Sequence, residues 1–231
     1  MNEYLSAMTE VVRKNRGTLD KYIGDAIMAF WGAPVSDAQH ARQAVVTAMQ
    51  MQAALPAVNK AFAAKGWPEI KIGVGVNTGE MTVGDMGSSV RKAYTVMGDA
   101  VNLGSRLEGI TKQYGVGILV GEGARKEIKD ILFREVDRVQ VKGKEEPIVI
   151  YEPIGLEGEV GKALQEEIKL WNQALRHYRA QEWDQVEVAL LNLTRMAPER
   201  GLYGKYIERI AQLRKEPPES GWKGVWKFDT K

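Results

Sequence analysis

Lys21-Tyr-Ile-Gly-Asp25-Ala-Ile-Met-Ala-Phe-Trp-Gly-Ala-Pro34 reads as a strand, a tight turn and a second strand. Tyr22, Ile23 and the run Ala26 to Trp31 are apolar or β-prone, and Gly24-Asp25 supplies the turn. Pro34 ends the second strand. The hairpin sets one cation, Lys21, and one carboxylate, Asp25, four residues apart. An Asp at such a turn is a place to hold a divalent metal.

Outward from the hairpin, residues 2 to 16 have Leu5, Met8, Val11 and Val12 at helical spacing, with Gly17 as the stop. Ser36 or Asp37 caps a long helix to about Lys65, broken by Gly66-Trp67-Pro68. Ile70 to Val76 alternates as a strand, Glu80 to Gly84 is a short strand, and Asp85 to Ser89 is a loop. Ala93 to Val96 is extended. A helix then runs from Asp99 to Tyr114, with Val101, Leu103, Leu107 and Ile110 apolar. Ile118 to Val120 is a strand and Ala124 to Lys129 a short helix. Phe133 to Val141 and Ile148 to Tyr151 form a hairpin around Lys142-Gly143-Lys144. The alternation of strands and helices predicts an α+β sandwich over residues 1–154. Gly155 to Gly161 is linker-like. Residues 162–231 form a second, helical unit; Trp171, Ala174, Tyr178 and Ala189 are spaced as in one tetratricopeptide-type repeat. A single repeat cannot bury its own face, so it must pack on something else. Pro217-Pro218 and the stretch with Trp222 and Trp226 read as irregular.

The chain of 231 residues is long enough for a sizeable core. Its 32 basic against 30 acidic residues give no argument for nucleic acid as a partner. The absence of cysteine excludes disulfides, thiolate catalysis and cysteine zinc sites. No window approaches the ~18 consecutive apolar residues of a spanning helix.

A second polar run, Tyr94-Thr-Val-Met-Gly-Asp-Ala-Val-Asn102-Leu-Gly-Ser-Arg106, joins the first. Asn102 and Arg106 are four apart on one helix and share a face. Thr95 lies just upstream, and Lys142 sits in the glycine-containing bend. A carboxylate, two cations and an amide suit phosphoryl chemistry, the carboxylate for Mg²⁺ and the cations for phosphate oxygens. Each residue also has a plain reading: a solvated lysine, a turn aspartate, a surface pair on a helix, an exposed hairpin lysine. Neither the dinucleotide glycine spacing nor a P-loop occurs. Residue types alone reach a phosphate or metal site and no further.

The ordered set of motifs resembles the class III nucleotidyl cyclases, the adenylyl and guanylyl cyclase family. It comprises Lys21-Tyr-Ile-Gly-Asp25-Ala, Gly73-Val-Gly-Val-Asn-Thr-Gly79, Gly84-Asp-Met-Gly87, Tyr94 to Glu108 and Val141-Lys-Gly-Lys144. The resemblance covers about residues 1–153. It implies a ferredoxin-like cyclase sandwich followed by a small helical segment. It implies that Lys21 and Thr95 read the purine edge, a pair that fits adenine and therefore ATP. Asn102 would orient the ribose, Arg106 stabilise the α-phosphate in the transition state, and Lys142 bind the terminal phosphates. Asp25 resembles one of two metal-binding aspartates serving a pair of Mg²⁺ or Mn²⁺ ions. The implied reaction is in-line attack of the 3′-hydroxyl on the α-phosphorus, giving cyclic AMP and pyrophosphate for signal transduction. The family's sites form between two chains, so a homodimer with symmetric sites is expected. Threonine at position 95 resembles a bicarbonate-responsive subgroup, which makes bicarbonate an implied ligand.

The family's other metal aspartate stands on a first strand, in a Phe-x-Asp run well before the second. Only 24 residues precede Asp25 and none matches that run. The expectation is that the first strand and one metal ligand are absent, that this chain alone has negligible activity, and that a longer parent carries an upstream sensor or membrane domain. The region itself is then cytoplasmic, with a parent anchored in the inner membrane. The non-enzymatic alternative is a cyclase-like module that binds nucleotide or partners without turnover; a third reading is a tetratricopeptide-like interaction protein.

Overall fold

A computed structural model describes residues 1–141, 143 and 145–228. The chain opens with α1 (Asn2–Lys14), whose Tyr4, Met8 and Val12 recur every fourth position and are buried. The hairpin follows as β1 (Thr18–Ile23) and β2 (Ala26–Phe30), turning at Gly24 with φ of 63°. The pairing is antiparallel, from Thr18 opposite Phe30 to Ile23 opposite Ala26. The register shifts between Leu19 and Lys21, which leaves Asp20 as a bulge residue.

The long helix is α2 (His40–Ala63), shorter at its start than the Ser36 or Asp37 cap predicts. Tyr4 and Met8 of α1 pack on Met51, Leu55 and Phe62 of α2. The strand expected over residues 70–76 is ladder-paired only as β3 (Val74–Val76). Ile70 instead exchanges hydrogen bonds with the Asn59 side chain, and the Ile72 carbonyl accepts from Gln52, so α2 takes the groups a strand partner would use. The expected loop at residues 85–89 is also corrected. Thr82–Gly87 is one strand, β4, paired in full with β5 (Lys92–Met97).

Next come α3 (Asp99–Tyr114), β6 (Ile118–Gly121), α4 (Glu122–Glu127), β7 (Ile131–Val141) and β8 (Ile148–Leu156). Three helices close the chain, α5 (Lys162–Arg179), α6 (Trp183–Met196) and α7 (Gly201–Lys215), before β9 (Val225–Phe228). The main sheet has the order β3-β6-β8-β7-β9. β3 is parallel to β6, β8 antiparallel to both neighbours, and β9 parallel to β7. β9 corrects the expectation of an irregular tail: Val225 to Phe228 pair with Arg138 to Val141.

The sheet separates two apolar layers. On β6, Ile118 and Val120 pack with Ala41, Val45 and Ala48 of α2, while Leu119 packs with Leu103 and Leu107 of α3. The α3 layer is continuous with the C-terminal helices, because Trp171, Tyr178, Leu190 and Tyr206 share its core. The face that one helical repeat cannot bury alone is thus buried on β7 and α3. Trp171 donates its indole N–H to the Glu135 carbonyl at 2.6 Å, and Tyr206 its hydroxyl to the Val136 carbonyl at 2.8 Å.

Glycine sets how closely α3 lies on β3. A Cβ at Gly75 would stand 2.2 Å from the Gly104 carbonyl oxygen and 2.4 Å from the Glu108 nitrogen. Both are backbone atoms of α3, so no side chain fits between strand and helix there.

Candidate active site

The hairpin β1–β2 and strand β5 meet at Lys21 and Thr95. The Lys21 ammonium donates to Thr95 Oγ1 at 3.1 Å, across 74 positions of sequence. Lys21 is half exposed, whereas Thr95 is buried at 5 %. Sequence reasoning paired these two residues, and the fold brings them into contact.

Asp20 completes the group and was missed. Thr95 donates its hydroxyl to Asp20 Oδ2 at 2.5 Å, and the Val96 backbone N–H donates to the same oxygen at 3.3 Å. Asp20 Oδ1 lies 2.9 Å from Lys21 Nζ, an ion contact, and has no directed hydrogen bond among the described residues. Adjacent residues of a regular strand point to opposite faces. Here the bulge lets Asp20 and Lys21 reach the same hydroxyl. Burial works against the Asp20 charge. The Thr95 hydroxyl, the Lys21 ammonium and the Val96 N–H outweigh it and hold the carboxyl below its usual range.

Asn102 and Arg106 stand one turn apart on α3, directly after the Met97-Gly98 link from β5. Asn102 is exposed. Arg106 is half-buried, and its Nη1 is shielded from solvent with no hydrogen-bond partner among the described residues. An added Cβ at Gly143 would meet the Arg106 guanidinium at 3.4 Å, so the β7–β8 turn approaches this cation. Lys142, expected in that turn, lies outside the described residues.

Asp25 occupies the exposed tip of the hairpin. Its charge reaches Tyr4 on α1, whose hydroxyl pKa is raised by burial first and by Asp25 second. Among the described residues no three His, Cys, Asp or Glu side chains cluster to hold a metal. One exposed carboxylate is a suitable hard donor for Mg²⁺, but it does not fit a pair of ions that need several oxygens each.

A family model described as adenylate and guanylate cyclase catalytic domain matches residues 1–152. Adenylate cyclase 1 of Rhizobium meliloti is 38 % identical over 157 residues, spanning 68 % of this chain and 24 % of that protein. Adenylate cyclase of Anabaena cylindrica is 39 % identical over 160 residues, 66 % of this chain and 31 % of that protein. The chain therefore spans a quarter to a third of these relatives' length. Among solved structures, the adenylyl cyclase CyaB of P. aeruginosa superimposes with a TM-score of 0.64 at 34 % identity. That match covers 69 % of this chain and 83 % of the other. The guanylyl cyclase Cya2 superimposes almost as well, with a TM-score of 0.62 at 33 % identity, over 70 % of this chain and 81 % of the other. No helix among the described residues is long and apolar enough to cross a membrane.

Proposed function

Because this chain belongs to the adenylate and guanylate cyclase catalytic-domain family, we propose that it is the catalytic region of an adenylyl cyclase. The reaction is conversion of ATP to 3′,5′-cyclic AMP and pyrophosphate. An adenylyl and a guanylyl cyclase superimpose nearly equally on the chain, so the fold does not select the base. The observation that carries the choice is the 3.1 Å contact between Lys21 and Thr95. An ammonium only donates, which suits the adenine ring nitrogen; the hydroxyl oxygen can accept from the 6-amino group.

The remaining roles follow from charge and position. Arg106 Nη1, without a hydrogen-bond partner among the described residues, offers a donor to an α-phosphate oxygen. Asn102, exposed one turn before it, suits a ribose hydroxyl, and Lys142 the terminal phosphates. The 3′-oxygen attacks the α-phosphorus as the bond to pyrophosphate breaks. No step is assigned to metal here, because Asp25 alone does not complete a two-metal centre. A homodimer sharing its sites between chains belongs to the same reading, as does bicarbonate as an effector.

The test is formation of cyclic nucleotide from ATP and from GTP by the full chain with Mn²⁺. Cyclic AMP as the preferred product, lost in Lys21→Ala, supports the proposal. Cyclic GMP in excess overturns the base assignment. That no metal-holding cluster forms around Asp25 among the described residues favours a second reading, a module that binds ATP without turnover; ATP binding without product would establish it.

A further inference from the structure

Asp20 has no part in the roles above, yet its carboxylate is removed from solvent and placed on the two residues proposed to read the base. Resting on the reading of Lys21 and Thr95 as the purine site, we propose that Asp20 is a positioning residue that sets the hydrogen-bond polarity of that site for adenine.

The chemistry fixes the direction of each bond. A carboxylate can only accept, so the proton of the 2.5 Å contact comes from Thr95. An ammonium can only donate, so Thr95 Oγ1 is the acceptor of the 3.1 Å contact from Lys21. The single hydroxyl proton is thereby committed to Asp20. Towards any third partner Thr95 is an acceptor and nothing else. Lys21, held against Asp20 Oδ1, presents its remaining N–H groups as donors.

The result is one donor and one acceptor of fixed sign. Adenine offers the complement, a ring acceptor at N1 and a donor at the 6-amino group. Guanine in the same pose offers a donor at N1 and an acceptor at O6, opposing both protein groups. Without Asp20 the threonine hydroxyl could rotate and donate to O6. Threonine alone therefore does not specify the base; threonine held by a buried anion does. The bulge at Asp20 is the backbone feature that makes this possible, since it brings two consecutive side chains to one hydroxyl.

The experiment measures the ATP-to-GTP affinity ratio of the full chain by displacement of a fluorescent ATP analogue, in Asp20→Asn, Asp20→Ser, Thr95→Val and the unaltered protein. Both Asp20 variants should lower the ratio about tenfold, by weakening ATP and improving GTP. Equal weakening of both nucleotides, or an unchanged ratio, with Thr95→Val still shifting it, overturns the role of Asp20 and leaves the purine site standing. An unchanged ratio in Thr95→Val overturns the purine-site reading itself. Should the Asp20 variants fail to fold, the unaltered chain decides. Purine riboside triphosphate, which lacks the 6-amino group, should bind about tenfold more weakly than ATP. Equal binding would show that Thr95 accepts nothing from the base and overturn the proposal.

Discussion

Arg209 on α7 reaches Asp137 on β7 at 2.6 Å, with both side chains buried. Asp137 also accepts from the Tyr114 hydroxyl at 2.5 Å, and Tyr114 is the last residue of α3. The helix that bears Asn102 and Arg106 is thus tied at its C-terminal end to the helical tail through one buried carboxylate. The Arg209 guanidinium is further enclosed by the rings of Trp226, Tyr206 and Tyr114.

Removing one member of that pair leaves the other charge stranded in apolar surroundings. Arg209→Met is expected to cost about 3–5 kcal/mol of unfolding free energy. Asp137→Ala should cost as much. The double variant should be less unstable than the sum, because neither charge is then left alone. Denaturant unfolding of the four proteins measures the coupling; strictly additive losses would refute it.

High pH attacks the same interior. Burial first, then neighbouring anions such as Asp137, raises the hydroxyl pKa values of Tyr114 and Tyr206, while burial raises Tyr178 and Tyr203 against the pull of nearby arginines. A pKa raised by folding gives stability that is complete below the unfolded value and declines as pH rises past it. Stability should therefore begin to fall near pH 10, the ordinary tyrosine value. The buried four should ionise only together with the loss of tertiary structure. Tyrosinate absorbance and near-ultraviolet circular dichroism recorded through the same titration check this, and ionisation of all tyrosines before unfolding would contradict it.

Gly75→Ala tests whether the fit of α3 on β3 matters to chemistry. The new methyl would collide with backbone of α3 rather than with a side chain that can swing aside. The helix must shift, and Asn102 and Arg106 shift with it. Turnover should fall at least tenfold, with ATP affinity falling less, since misplacement counts most in the transition state. Melting temperature and kcat measured together separate this from simple unfolding.

Local signals carried much of the architecture. Gly24-Asp25 between two apolar runs gave away the β1–β2 hairpin, and the spacing of Leu103, Leu107 and Ile110 marked α3. The contact of Lys21 with Thr95 was legible only through the family's motif order, since 74 residues separate them. Three features were not legible, each for a nonlocal reason. β9 is a strand because Val225 to Phe228 find the open edge of β7. Ile70 and Ile72 alternate like strand residues, but α2 side chains claim their backbone groups. Asp20 sits where alternation would aim it away from Lys21, and only the bulge, which has no sequence signature here, turns it inward.

Arg106 provides the sharpest separation between binding and catalysis. Its Nη1 has no hydrogen-bond partner among the described residues, although that atom is shielded from water. A guanidinium nitrogen kept unfilled in the ground state gains most when charge develops on an α-phosphate oxygen. Arg106→Ala should therefore lower kcat by about 10²–10³, while KM for ATP changes by less than about tenfold. Arg106→Lys should recover only part of the loss, because a point ammonium cannot reproduce the planar fork. The measurement is steady-state cyclic AMP formation over a range of ATP concentrations. A KM increase with kcat unchanged would make Arg106 a ground-state binding residue. Equal activity in all three proteins would remove it from the site.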